Sequence, residues 1–170
     1  TVAYYSLVQA GVRTELTPEQ IGLSHLLEHL MFRGTTSLSQ ADYTQVIQSL
    51  GADNNAYTEL DYTLYTLTGP SEALDELIRL ESDRFQNTHY SEDEFKTEAQ
   101  AVLGEYQKSI GTPLLPLWES LSSLAFEKHP YAHTVLGQKS HIETMPNSYK
   151  TVLRYFNQLC NFRDLPVEIL

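Results

Sequence analysis

The chain has 170 residues, the length of one ordinary domain, and 41% of them are hydrophobic. This composition excludes a disordered acidic tail, and the chain is too polar throughout for a membrane span. Eleven Lys and Arg against 22 Asp and Glu give a net charge of -11, which excludes nucleic acid as an expected partner. The single cysteine, Cys160, excludes an internal disulfide but leaves the compartment open, with a bacterial periplasm or cytoplasm favoured over an organelle.

Both ends of the sequence have the pattern of β-strands. Residues 1–10 predict a strand, with neither an initiator Met nor a signal segment before them, and residues 166–170 form an extended apolar run. We therefore expect a processed or excised chain in which the final strand is cut.

Helix signals dominate the rest of the chain. Thr17 is a typical N-cap residue, Pro18 is favoured at the first helical position, and Gln20 would be the N3 residue of a capping box. This pattern predicts a helix over 18–32 that ends at Gly34. Strands paired with helices of this kind indicate an α+β domain. The other predicted elements are helices over 40–50, from Ser71 to about 85, 91–109, 115–126 and 148–159, and two strands over 54–57 and 62–67 joined as a hairpin.

The first long predicted helix contains the run His25-Leu-Leu-Glu28-His29. At about 100° per residue, the two histidines lie some 40° apart on the helix, with Glu28 near them on the same face. The other residues of this helix are apolar nearly all round, which indicates a helix buried in the protein. Two buried imidazoles and a carboxylate need compensation, and a divalent cation is the simplest candidate.

The helix predicted after the Ser91 capping box carries two candidates for a third ligand. Glu98 and Glu105 are seven residues apart, so they lie about 20° apart around the helix and both flank its apolar stripe. The spacing alone does not decide which of the two glutamates would be the third ligand. The acids at 92–94 lie in the first turn of the helix, where negative charge favours the helix dipole, and they need no further function.

These residues resemble the inverted-motif zinc peptidases of the pitrilysin, insulin-degrading-enzyme and mitochondrial-processing-peptidase family, peptidase family M16. The resemblance covers about residues 2–155. It implies a mostly antiparallel sheet with helices packed on one face, and a metal site shared by a buried helix and a second helix. Its segments are 11–15, 22–35, 55–58 with Asp61, Thr63 and Tyr65, and 80–85.

The resemblance also implies a role for each polar residue. The family spacing selects Glu105 over Glu98 as the third ligand, so that His25, His29 and Glu105 would hold one zinc ion per chain. Glu28 would be the general base that takes a proton from water. Glu98 would orient a ligand or help to neutralise the site.

The family further implies the substrate, the domain and the partner. The strand around Asn55, Ala56 and Tyr57 would bind an extended peptide or unfolded segment by strand addition. Residues 1–170 would form one catalytic domain, the N-terminal half of a larger endopeptidase, that needs a homologous second half or subunit to be competent. The alternative is a peptide-binding or assembly subunit that keeps the fold without turnover.

Several residues depart from the family pattern or have simpler explanations. Ala99 replaces the arginine that many members have directly after the first of the two helix glutamates, and residues 161–166 match only loosely. Glu98 is alternatively an ordinary helix carboxylate, and Asn55 a strand-edge residue that satisfies its own backbone. Residues 129–131 are expected to shape a loop. His89, His133 and His141 have no ligand spacing and are expected at the surface.

Overall fold

The computed structural model describes residues 1–145, 149, 150, 152, 154 and 155. Of the predicted helix over 148–159, the described residues are helical. Cys160, the loosely matching segment 161–166 and the predicted final strand over 166–170 lie outside the described residues. Besides these helical residues, the described part combines nine elements of regular secondary structure with four short 3-10 turns, and it confirms the α+β class.

The elements follow the predicted order along the chain, but one helix, over Lys139–Thr144, lies in a segment where only a loop was predicted. Among the described residues, no helix is both long and apolar enough to cross a bilayer. The strands and helices are β1 Val2–Val8, α1 Leu23–Leu30, α2 Gln40–Ser49, β2 Asp53–Thr58, β3 Thr63–Gly69, α3 Leu74–Asn87, α4 Glu92–Ile110, α5 Leu114–Ala125 and α6 Lys139–Thr144.

The three strands form one antiparallel sheet in the order β1-β3-β2. β3 lies in the middle, so β2 is an edge strand of the described sheet. Residues alternate between a face covered by helices and an exposed face, as the period of two requires. Tyr65 and Leu67 of β3 are buried on the covered face, and Ala56 of β2 lies opposite Tyr65.

The helix predicted over 18–32 is wrong at its start. Residues 18–20 form one 3-10 turn, in which the Gln20 side chain accepts the Thr17 N–H at 3.1 Å, and α1 begins only at Leu23. Gly22 separates the two with φ of 83°, and a Cβ there would lie 3.3 Å from the Leu136 carbonyl oxygen. The capping signal therefore starts a single turn, and the left-handed glycine redirects the chain before α1.

Two apolar clusters hold the elements together. One joins α1 to α4 and α6, and the other joins the sheet to α2 and α3. The buried residues of the first are Leu23, Leu26, Leu27, Leu30, Tyr90, Phe95, Ala99, Val102, Tyr106, Ile142, Met145, Val152 and Tyr155. The buried residues of the second are Tyr43, Ile47, Leu67, Ala73, Leu77 and Leu80.

A buried ion pair lies between the sheet and α3. Arg84 donates from Nη2 to both oxygens of Glu81 at 2.7 and 2.6 Å, and both side chains are only 2% exposed. The guanidinium carbon lies 4.9 Å from the ring centres of both Phe32 and Tyr65. Aromatic faces attract a cation, so these rings partly replace the hydration that the guanidinium loses on burial.

Helix α5 has no buried residue, although half of its residues are Leu or Trp. Its apolar side chains repeat at three- and four-residue spacing along one side, which gives an exposed stripe. Exposed apolar surface of this kind marks a contact surface in soluble proteins. The stripe consists of Leu114, Leu117, Trp118, Leu121 and Leu124.

Candidate metal centre

Helix α1 brings its polar face to the boundary between the two apolar clusters. Leu23, Leu26 and Leu30 anchor the helix with almost no exposure. The opposite side presents His25 and His29, whose ring centres are 4.8 Å apart. The apolar residues thus fix the helix in the core and leave the imidazoles partly buried at its edge.

Helix α4 supplies the facing carboxylates. It begins at a capping box in which the Ser91 hydroxyl accepts the Glu94 N–H at 3.2 Å. Its apolar stripe packs against α1, and Glu98 and Glu105 lie along the edge of that contact, as their spacing predicts. The Glu98 side chain is 13% exposed, whereas that of Glu105 is 46% exposed. Glu105 therefore faces both the histidines and solvent.

The structure brings the three predicted ligands together. Glu105 Oε2 lies 3.6 Å from His25 Nε2, and Glu105 Oε1 lies 3.6 Å from His29 Nε2. One donor atom from each residue lies within 4.8 Å of the others. Ligands about 2.0–2.1 Å from a tetrahedral zinc are separated by about 3.3 Å, so this donor set fits zinc with small adjustments.

Glu98 lies behind His29 rather than in the donor set. Its Oε2 is 3.0 Å from His29 Nδ1, and its Oε1 is 2.6 Å from Arg33 Nε. Burial alone would raise the pKa of Glu98, but the hydrogen bond to His29 and the charge of Arg33 lower it below its usual value. An ionised carboxylate only accepts, so His29 donates from Nδ1, and its Nε2 faces Glu105 as the nitrogen left for a metal.

Ala99 is fully buried in the contact between α4 and α1. It has no room for a charged side chain without displacing its neighbours. The cation beside Glu98 is instead Arg33, which follows the end of α1. Position 99 thus carries no cation, and the segment after α1 supplies one to Glu98 instead.

Glu28 points from α1 towards the end of β2. The Thr58 hydroxyl donates to Glu28 Oε2 at 2.6 Å and lies 3.2 Å from the hydroxyl of Thr63. Burial raises the pKa of Glu28, although the Thr58 hydrogen bond and the charge of His29 oppose the shift. A carboxylate with a raised pKa binds a proton more readily than an exposed one, which suits a general base.

The two histidines differ in their surroundings. Burial, together with the charge of His29, lowers the pKa of His25 to about 4, so its imidazole is neutral at pH 7. Burial also acts against the charged form of His29, but the hydrogen bond to Glu98 and the charge of Glu105 outweigh it and raise the pKa. A metal must therefore displace a more tightly held proton from His29 than from His25.

The predicted substrate strand lies at the free edge of the described sheet. Asn55 and Tyr57 are on its exposed face, whereas Ala56 and Thr58 are on the face covered by helices. The side chain that contacts Glu28 is that of Thr58, so the edge of β2 passes directly beside the candidate base. The Asn55 side chain is on the other face from that contact.

Sequence reasoning gave no role to Glu15, which holds the start of α1. Its carboxylate accepts the Gly22 N–H and the Ser24 N–H, both at 2.8 Å. Burial raises the pKa of Glu15 to about 7 despite these hydrogen bonds. Glu15 belongs to the motif segment 11–15. Only the fold shows that this residue, seven positions before Gly22, caps the start of α1.

The expectation that His133 is a surface residue is wrong. The residue is 5% exposed, and its Nε2 lies 3.6 Å from Glu15 Oε2. The loop that carries it passes over Gly22, where both backbones approach closely, and so encloses the imidazole. His89 is exposed and His141 is half-buried.

Comparison with known proteins identifies the family. Residues 2–139 match the family model described as Insulinase (Peptidase family M16). The chain belongs to peptidase family M16. The match spans both the helix with the two histidines and the helix with Glu105, so the predicted resemblance is confirmed.

The relatives of this M16 domain include zinc proteases and peptidase subunits. An uncharacterized zinc protease of Rickettsia felis is 31% identical over 137 residues, which are 81% of this chain and 33% of that protein. The human mitochondrial-processing peptidase subunit beta is 30% identical over 138 residues, which are 81% of this chain and 28% of the subunit.

A solved structure agrees with the fold described above. The crystal structure of a protease from Helicobacter pylori superposes with a TM-score of 0.87 at 26% identity, and the match covers 93% of this chain and 38% of that one. The chain thus spans about a third of the length of the relatives it matches.

Proposed function

We propose that this M16 domain carries the active site of a zinc-dependent endopeptidase that cuts peptides or unfolded segments. The observation that carries the proposal is the meeting of three zinc donors with a separate carboxylate. His25, His29 and Glu105 converge, while Glu28 stands beside them with a hydrogen bond from Thr58. A structural metal site needs no such free carboxylate.

One zinc ion per chain would be held by the two Nε2 atoms and the Glu105 carboxylate. When bound, zinc supplies Lewis acidity, which polarises a carbonyl and makes water a nucleophile near neutral pH. Two histidines and one carboxylate leave a tetrahedral ion with an open position, which is typical of catalytic rather than structural sites.

The residues of this chain would then each do one task. Glu28 takes the proton of the attacking water and later returns it to the leaving amine, because its raised pKa suits both transfers. Thr58 holds one Glu28 oxygen at 2.6 Å, which leaves the other oxygen for the proton. Glu98 keeps the His29 ring in its ligand orientation.

The substrate would bind along β2 as an added strand. Its backbone would pair with the free edge that carries Asn55, Ala56 and Tyr57, and this pairing would align the scissile bond with Glu28. Backbone pairing requires an extended chain, so folded proteins would be poor substrates. This favours peptides and unfolded segments as the substrate class.

We further propose that residues 1–170 act as one catalytic domain together with a homologous second domain or subunit. The chain spans about a third of its relatives' length, and these include subunits of mitochondrial-processing peptidases. The exposed apolar stripe on α5 supports contact with further protein. The non-catalytic peptide-binding subunit is the alternative, and it predicts zinc binding or peptide binding without turnover.

Metal analysis and peptide cleavage test the proposal. After chelation and zinc repletion, we expect about one zinc per chain in the wild type and in Glu28→Gln, and far less in His29→Ala. Cleavage of an unstructured peptide, by this chain mixed with a homologous second half, should be lost in Glu28→Gln. Equal turnover in the wild type and Glu28→Gln would contradict Glu28 as base, and zinc binding without any turnover would favour the alternative.

A further inference from the structure

Arg33 lies at the end of a chain of contacts that starts at the candidate metal centre. Its Nε is 2.6 Å from Glu98 Oε1, and the second oxygen of Glu98 is 3.0 Å from His29 Nδ1. The N–H bond of Arg33 Nε does not point along this line, so the contact is an ion pair rather than an aligned hydrogen bond. None of the three side chains is more than 19% exposed, so water screens the pair only weakly.

The backbone and the far end of Arg33 are also held. Arg33 lies in the turn after α1, and its backbone N–H donates to the carbonyl of Leu30, the last residue of that helix, at 3.1 Å. Its Nη1 donates to Gln40 Oε1, at the start of α2, at 3.4 Å. The backbone of Arg33 is therefore held by α1 and its guanidinium by Gln40 of α2 while it faces Glu98 on α4, so it can restrain that carboxylate.

The charges around the site give Arg33 a specific task. Glu28, Glu98 and Glu105 place three carboxylates around two imidazoles. In the part of the chain that the structure describes, Arg33 is the only Lys or Arg in ion-pair contact with any of the three. Without Arg33, the Glu98 carboxylate would keep its contact with His29 but would lose the cation beside its other oxygen, so it would turn away more easily.

We infer that Arg33 is a positioning residue for metal binding, which holds Glu98 against His29 so that the His29 Nε2 lone pair faces Glu105. The inference rests on the proposed function, because it concerns the same metal. His25 offers no substitute restraint, since its Nδ1 is buried with no hydrogen-bond partner among the described residues. His29 is thus the ligand whose orientation the protein fixes, and Arg33 lies behind that restraint.

Zinc affinity, measured by competition with a chromophoric chelator, tests the inference. Loss of a group behind a metal ligand costs about 10- to 100-fold in affinity, so we expect Glu98→Gln to lose this much and Arg33→Met about tenfold. Arg79→Met is the matched control, because Arg79 makes an equally short contact with Glu76 at 2.6 Å on α3 but is 58% exposed. This control should bind zinc as the wild type does.

The double variant separates positioning from a general effect of charge. If Arg33 acts through Glu98, Arg33→Met should weaken zinc binding no further in the Glu98→Gln background than Glu98→Gln does alone. The absorption spectrum of the bound Co²⁺ ion should also change in Arg33→Met and not in Arg79→Met. Urea unfolding of the metal-free proteins shows whether each variant is folded, and Arg33→Gln replaces Arg33→Met if the latter is not.

The possible results have distinct meanings. A wild type that binds no zinc contradicts the proposed function itself. Wild-type affinity in Arg33→Met, or a tenfold loss that persists in the Glu98→Gln background, overturns the inference while the proposed function stands. A loss that appears only when Glu98 is present supports the inference.

Discussion

Glu15 caps the helix that carries both histidines, since its carboxylate accepts the Ser24 N–H at 2.8 Å with the side chain fully enclosed. The imidazole of His133 lies 3.6 Å from this carboxylate; burial lowers the pKa of His133, and its Nδ1 is 3.1 Å from the Thr134 carbonyl oxygen. Glu15 thus stabilises the first turn of α1 from outside the helix, and this position makes the stability of the domain depend on pH.

The pH dependence of stability tests the raised pKa of Glu15. Its pKa is about 7 in the folded protein, so between pH 4.5 and 7 the folded state binds more protons than the unfolded state and stability falls as pH rises. Glu15→Gln keeps the shape without the charge, so it should match the wild type near pH 5 and exceed it near pH 8 by up to about 3 kcal/mol. His133 titrates in the opposite sense, so the measured quantity is the wild-type minus variant difference in urea unfolding with chelator present. A difference that stays constant from pH 5 to 8 would contradict the prediction.

Gly22 and Gly104 offer a matched pair of alanine substitutions. Gly22 has φ of 83° and would place a Cβ 3.3 Å from the Leu136 carbonyl oxygen, so Gly22→Ala should cost about 1–3 kcal/mol. Gly104 lies inside α4 with nothing within 4 Å of a Cβ, so Gly104→Ala should stabilise by up to about 1 kcal/mol. Thermal or urea unfolding of both variants checks the sign of each effect. Equal effects would argue against the left-handed break before α1.

The buried Arg84–Glu81 pair should be costly to break from one side. Arg84→Met leaves the Glu81 carboxylate uncompensated in the core, and we expect a loss of about 3–5 kcal/mol. Arg84→Met with Glu81→Leu removes both charges and should lose less than Arg84→Met alone. The exposed Arg79–Glu76 pair is the control, and its removal should cost less than about 1 kcal/mol. If the single and double variants unfold at the same urea concentration, the pair does not act as described.

Thr58 should affect turnover without affecting zinc. Thr58→Val keeps the shape of the side chain and removes the hydroxyl that donates to Glu28 at 2.6 Å, so the proposed base loses the hydrogen bond that holds it. We expect kcat to fall about 10-fold or more with one zinc still bound, while Thr58→Ser stays close to the wild type. Steady-state kinetics with metal analysis check this outcome. Loss of zinc from the Thr58→Val variant would contradict this prediction, because it would mean that Thr58 helps to hold the metal ligands in place.

Much of the local structure could be predicted because its causes are local. The Ser39 and Ser91 caps start α2 and α4 at the predicted residues, and β-branched and aromatic residues mark β2 and β3. The spacing of His25 and His29 on a helix with apolar residues nearly all round already indicated a buried polar face. The family followed from the same run of residues.

The choice between Glu98 and Glu105 as the third candidate ligand shows what helical spacing cannot decide. Glu98 and Glu105 lie on the same side of α4, so helical geometry could not separate them. The family resemblance selected Glu105. The structure places Glu105 against both Nε2 atoms and Glu98 against Nδ1, because the two helices cross with His29 between the two carboxylates.

The sequence by itself determined most of the helices and strands, the family and the candidate metal ligands, since these depend largely on neighbours within a few positions. Only the tertiary structure decided that Gly22 interrupts the predicted first helix, that Glu15 caps it, and that Arg33 and Thr58 hold Glu98 and Glu28. The break at Gly22 comes from the conformation of a single backbone position. The other features are contacts between residues that lie in different elements of the fold. Their partners therefore depend on how the elements pack, which the local pattern does not encode.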